Sequence, residues 1–144
     1  MLVTNHVLAG ALLGGSTRRP LPAFLIGVAS HFAMDAVPHW GKWRDREYFL
    51  RVAVADGLAG LTAMGALLTV ARPERRAAVA AGMIGAALPD LDKPAVLWFG
   101  ASPWPAAVNR FHSRIQDEAA GRFSLEAGAA AALAAAAVAA LRRP

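Results

Sequence analysis

All four histidines of this chain, together with Asp35, Asp56, Asp90 and Asp92, fall in short clusters within otherwise very apolar sequence. Imidazole nitrogens and carboxylate oxygens are donors for divalent cations. With no cysteine present, disulfides, thiolate zinc sites and iron–sulfur clusters are excluded together. The densest cluster runs Ser30-His31-Phe32-Ala33-Met34-Asp35-Ala36-Val37-Pro38-His39-Trp40. His31 and Asp35 are four apart and project from one face of a helix. A self-satisfied His–Asp pair is the plain alternative, but His39 follows four residues later. Pro38 kinks or ends the helix there and lets His39 turn toward the same centre. His31, Asp35 and His39 are therefore the expected main ligands.

The other candidates each carry two readings. Asp56, in Val54-Ala55-Asp56-Gly57-Leu58, is either a ligand or general base, or a carboxylate favoured by a helix start. Asp90 and Asp92 alternate in Leu88-Pro89-Asp90-Leu91-Asp92-Lys93-Pro94, so an extended turn presents both carboxylates on one side. Asp92 is equally an N-cap ahead of Pro94. His6 follows Thr4-Asn5, a capping context, and joins the ligands only if the helices bring it there. His112 lies between Arg110 and Arg114, which are either a solvated amphipathic face or, beside a metal, a grip for phosphate.

These residues need elements to carry them. A hydrophobic fraction of 56 % and a mean hydropathy of +0.39 exceed what a soluble domain of 144 residues needs, which favours a membrane class; an Ala-rich soluble bundle is the competing one. Apolar stretches run at about 2–15, 21–37, 52–71, 77–88 and 125–141, with Pro20, the 42–47 charge cluster, Arg72 to Arg76 and the 89–105 region as breaks. Strand alternation is missing, and the expectation is all-α: a small integral-membrane bundle of about four to five helices forming one domain over 1–144. Gly10 and Gly14, with Gly57, Gly60 and Gly65 in the third stretch, suggest close helix contacts. The last stretch reads as a packing or anchoring helix without chemistry of its own. Arg18 and Arg19 follow the first stretch, so it is expected to remain as a helix and not as a cleaved leader.

Laid antiparallel, these helices put His6, His31, Asp35, His39, Asp56, Asp90, Asp92 and His112 at one end. The opposite end collects Arg18, Arg19, Arg72, Arg75, Arg76, Arg142 and Arg143 and reads as cytoplasmic, leaving the site extracytoplasmic. The net charge of +5 is scattered and lacks the basic, aromatic-interleaved face of a nucleic-acid binder, so no nucleic-acid partner is expected.

Asn5-His6 with Gly10 and Gly14, Leu88-Pro89-Asp90-Leu91-Asp92 and Arg110-Phe111-His112-Ser113 together resemble the YdjM-like family of membrane-bound, metal-dependent hydrolases. The His31 to His39 run is similar to that of zinc-dependent phospholipase C. The resemblance implies an enzyme of a bacterial inner or plasma membrane, holding one or two divalent ions, zinc foremost, through His6, His31, Asp35, His39, Asp90, Asp92 and His112. Asp56 or Asp92 would act as base and Arg110 or Arg114 would hold the anion of a phosphoester or lipid-like substrate. The alternative class is a non-catalytic membrane protein that binds, senses or transports a metal ion or proton.

Overall fold

The computed structural model describes residues 1–41 and 45–143; the first part of the expected 42–47 charge cluster lies outside the described residues. Its helices are α1 (Val3–Thr17), α2 (Pro20–Asp35), α3 (Arg46–Val70), α4 (Arg76–Ala87), α5 (Asp92–Phe99), α6 (Ala106–Ile115) and α7 (Phe123–Arg142). The five expected stretches correspond to α1, α2, α3, α4 and α7. The Pro-rich region, left without an element by its composition, supplies α5 and α6. A two-residue parallel pairing of β1 (His39–Trp40) with β2 (Glu118–Ala119) is a further departure from the all-helical expectation, although the class is all-α.

Proline and glycine set several boundaries. Pro20 sits in the first turn of α2, where its missing N–H costs nothing. Gly100, at φ 74°, ends α5 in the left-handed region that side chains avoid. Pro38 ends the α2 segment and starts the extended piece that pairs with β2.

Helix α1 is central, packing on α2, α3, α4 and α7. Its closest partner surface is glycine-made. A Cβ on Gly10 would strike the backbone of Gly82 in α4, and one on Gly14 would strike Ala78. Gly27 of α2 meets Gly82 as well, and Gly85 lies on the backbone of Phe24. α4 is thus clamped between α1 and α2 with backbone nearly on backbone, as small residues permit. In α3 the outcome differs: Gly60 touches Val3 and Thr4, while Gly57 and Gly65 face open space. The apolar core, with Val7, Ala11, Leu67, Val79, Met83 and Leu141, fixes these helices below the polar end.

Among the described residues, α3 and α7, of 25 and 20 residues, are long and apolar enough to cross a membrane. Only 11 % and 17 % of their most apolar windows is buried, with Leu58 and Leu61 on α3 62 % and 67 % exposed.

Candidate metal centre

α1 begins at the polar end without a cap of its own, and distant carboxylates take its orphan N–H groups. Glu126 accepts from Leu2 N–H at 2.6 Å; Asp56 accepts from Val3 N–H at 2.6 Å and Thr4 N–H at 3.2 Å. Both suit the positive end of the helix dipole. This seats His6 one turn in, fully buried. The last turn of α2 brings His31 and Asp35, and the end of α4 turns into a 3₁₀ segment, Leu88–Leu91, carrying Asp90. α6 is held to the site at both ends. Trp104 Nε1 donates to the Pro89 carbonyl at 3.2 Å, and Asp117 N–H donates to the Asp35 carbonyl at 3.0 Å. His112 is thereby placed against Asp35.

Four ligand atoms, from His31, Asp35, Asp90 and His112, lie within 4.8 Å of one another, and all four residues are buried. Asp35 Oδ2 is 2.9 Å from His112 Nε2 and 3.3 Å from His31 Nε2, and the two Nε2 atoms are 3.0 Å apart. Asp90 Oδ1 stands somewhat farther, 3.7 Å from His112 Nε2 and 3.9 Å from His31 Nε2. Bonds of ~2.0–2.1 Å in a tetrahedral zinc site put neighbouring ligand atoms roughly 3.3 Å apart, so the separations among His31, Asp35 and His112 suit one coordination sphere while Asp90 stands wide of it.

The donor chemistry agrees. His31 Nδ1 is 2.7 Å from the Ala86 carbonyl and must donate to it, which leaves the Nε2 lone pair facing two carboxylates and another ring nitrogen. That arrangement is repulsive without a positive charge at its centre, whether a proton or a divalent cation. His6 stacks on His31, centroids 4.0 Å apart, with Nε2 3.2 Å from Asp35 Oδ1. Both His6 ring nitrogens lack a hydrogen-bond partner. Asp35 thus points one oxygen at His6 and the other at His31 and His112. Gln116 Nε2 donates to Asp35 Oδ2 at 3.2 Å.

Lys93 adds the electrostatics of the rim, with Nζ 2.8 Å from Asp90 Oδ1. Burial works to raise the Asp90 carboxyl, but the Lys93 ammonium together with His6 and His31 overcomes it and holds Asp90 below the usual carboxylate range. Burial likewise works against charge on Lys93, and Asp90 with Asp35 and Asp92 reverses that, raising it.

Of the residues expected at the site, His6, His31, Asp35, Asp90 and His112 come together. His39 does not enter the four-residue group. The extended turn after Pro38 carries it into the pairing with Glu118, where its Nδ1 donates to the Val37 carbonyl at 2.9 Å and its Nε2 is buried without a partner. Asp56 lies well inside α3 and not at its start as expected; it spends both oxygens on the N–H groups that open α1, a different helix, which leaves no free base. Asp92 lies in the first turn of α5 without a capping hydrogen bond, its Oδ1 buried and unpartnered. Arg110 and Arg114 are exposed, since two residues either side of His112 on a helix face the opposite way. Lys93, Gln116 and Glu126 are the residues that sequence reasoning passed over. Glu126 left a signal, being the lone acid of an Ala-rich apolar helix.

A cavity of about 760 Å³ adjoins the cluster, bounded by α3, the start of α1 and α5, with Asp90 and Lys93 in its wall. Comparison of the chain with family models, curated proteins and solved structures gave no match in any of the three.

Proposed function

We propose that this chain is an integral-membrane, metal-dependent hydrolase of a phosphoester or lipid-like substrate, as its resemblance to the YdjM-like proteins implies. The observation that carries the reading is the unequal ligand set. His31, Asp35 and His112 stand closest together, while Asp90, the most distant, lies in the wall of a large apolar cavity. A catalytic centre keeps one position open toward substrate, whereas a structural one is closed by four protein ligands. A divalent cation, zinc foremost, would supply Lewis acidity toward a phosphoryl oxygen. His31, Asp35 and His112 would hold it, with His6 stacked on His31 beside them, and Lys93 offers positive charge where an anionic group enters.

The membrane part of the reading rests on α3 and α7. A soluble domain encloses its most apolar helices, and here those two present bulky side chains outward. By the positive-inside tendency the arginine-rich opposite end is cytoplasmic and the metal centre extracytoplasmic.

The burial of all four ligands favours a second reading, a non-catalytic ion or proton site. Asp90→Asn separates the two. In a hydrolase it retains metal, measured by elemental analysis of detergent-purified protein, and loses turnover of phosphodiester, phosphomonoester and phospholipid substrates. In a closed site it loses the metal itself. His31→Ala with Asp35→Ala removes the metal under either reading, and a wild type without stoichiometric metal after reconstitution sinks both metal readings.

A further inference from the structure

Charge of one sign gathers at the end of the molecule away from the metal centre. Core contacts hold the parts of that end together: a Cβ on Gly15 of α1 would meet Leu141 of α7 and Val79 of α4, and Ala71, the C-cap of α3, is buried in the same cluster. The seven arginines of that end all lie within four residues of one of these contacts. Arg18 and Arg19 follow Gly15, Arg142 and Arg143 follow Leu141, Arg72 follows Ala71, and Arg75 and Arg76 precede Val79. Glu74 is the one acid among them, and Arg72 Nε takes it at 3.2 Å. Arg76 Nε donates to the Ala71 carbonyl at 3.1 Å. The guanidinium groups of Arg18, Arg19, Arg75, Arg142 and Arg143 make no hydrogen bond or ion pair among the described residues.

Three of these five stand where local structure disfavours them. A cation suits the C-terminal end of a helix, and Arg142, in the last turn of α7, is placed so. Arg19 and Arg75 are instead the N-caps of α2 and α4, with no acid in either first turn and no capping bond from either side chain. Positive charge there meets the positive end of a helix dipole. Arg18 is the one non-glycine residue with positive φ among the described residues, at 55°, where glycine would sit without strain. An anion at this face reverses the penalty at both helix starts, because helix N-termini and guanidinium forks each bind phosphate.

We infer that this end is a docking surface for anionic phospholipid: Arg18 and Arg19 in the α1–α2 connection and Arg75 at the start of α4 hold the phosphate of a headgroup of net negative charge, with Arg142 and Arg143 completing the face. Both membrane-length helices finish here, α3 at Val70 and α7 at Arg142, so the arginines begin where hydrocarbon gives way to headgroups. A zwitterionic head brings its own cation against the arginines and gains less. A nucleic acid would find no aromatic side chain on these connections to stack its bases. Because α3 and α7 must lie in a bilayer for this, the assignment depends on the membrane part of the proposed function and on nothing at the metal centre.

The test is electron spin resonance of the full-length protein in phosphatidylcholine vesicles, with chain-labelled phosphatidylglycerol or chain-labelled phosphatidylcholine as the probe. Motionally restricted label reports lipid held at the protein surface. Phosphatidylglycerol is expected to be preferred by roughly fivefold, the worth of one well-placed basic contact at an anionic surface. The preference fades at ~1 M salt, where the screening length falls to about 3 Å. Arg19→Gln with Arg75→Gln brings it close to one. Arg18→Gly lowers it while raising the thermal midpoint, a combination that a purely structural role for this guanidinium would not produce. Thermal unfolding also reports that each variant has folded. Arg110→Gln with Arg114→Gln, two exposed arginines of the other end, is the charge-matched control and leaves the preference in place. Equal restriction of the two lipids, undiminished preference in both sets of variants, or an equal loss in the control overturns the inference while leaving α3 and α7 in the bilayer. Protein that stays in water without detergent and floats with neither phosphatidylcholine nor phosphatidylglycerol vesicles removes the inference and the membrane reading together. Protein that stays in water yet floats with phosphatidylglycerol vesicles through Arg19 and Arg75 keeps the docking surface and removes the spans.

Discussion

Asp56 separates a cap from a catalyst by a single measurement. Its two oxygens serve the first N–H groups of α1, so Asp56→Asn gives up a charge at the positive end of a helix and one good acceptor. A loss of about 1–2 kcal/mol in unfolding free energy is expected, with metal content unchanged; loss of the metal at full stability would restore it as a ligand. Asp90 and Lys93 set a pH window instead. The Asp90 carboxyl is held below its usual range, so its contribution to stability is fully present above that range and disappears as pH falls through the lowered value. Lys93, raised, contributes fully below the ordinary amine range and loses this only as pH climbs through its own higher value. In chelator-treated protein, the stability difference between wild type and Lys93→Gln is therefore flat from about pH 5 to 8. Unfolding curves of the two proteins across that interval check it.

Helix α4 is the element on which the centre depends, since it touches α1 and α2 through backbone and delivers Asp90 from its end. Even one methyl at Gly82 meets the carbonyl of Gly10. Gly82→Ala is expected to cost about 1–3 kcal/mol and to reduce metal retention, because α1 and α2 must part to accept it. Gly57→Ala, on an open helix face, should be neutral or stabilising by roughly 0.5–1 kcal/mol. A reversed order in thermal unfolding would refute the clamp. The sequence displayed this element through its apolar run and displayed the ends of the helices well enough to bring five ligand candidates together. It could not display which side of a helix faces the centre once the connection folds back. Arg110 and Arg114 bracket His112 in the chain and point away from it in space, and Pro38 removes His39 as readily as it might have delivered it. Gln116 and Glu126 act on partners far along the chain, Asp35 and the start of α1, which no local spacing encodes, although Glu126 stands out as the lone acid of its helix. Lys93 pairs with Asp90 three residues before it, a local spacing that sequence reasoning passed over.

The molecule as a whole is a short-helix cluster, α1, α2 and α4, flanked by the two long apolar helices α3 and α7. Glu126 fastens one of these to the cluster, accepting from the backbone N–H groups of Leu2 and Trp40 while only 5 % exposed. Glu126→Ala removes the carboxylate that accepts from both N–H groups, an expected cost of about 1–3 kcal/mol. The measurable result is early unfolding of the polar end by hydrogen exchange at Leu2, Val3 and Trp40, with the core around Met83 still protected. Uniform loss of protection would show instead that the long helices hold the whole fold together. The same bond has a meaning for the order in which the chain is made. α1 is synthesised first, yet its opening turn is completed by a residue of α3 and a residue of α7, 53 and 124 positions later. The ligands themselves are spread from His31 to His112. A nascent chain that has not yet delivered α7 therefore has an incomplete start to α1, and one that has not reached His112 lacks a full set of candidate donors.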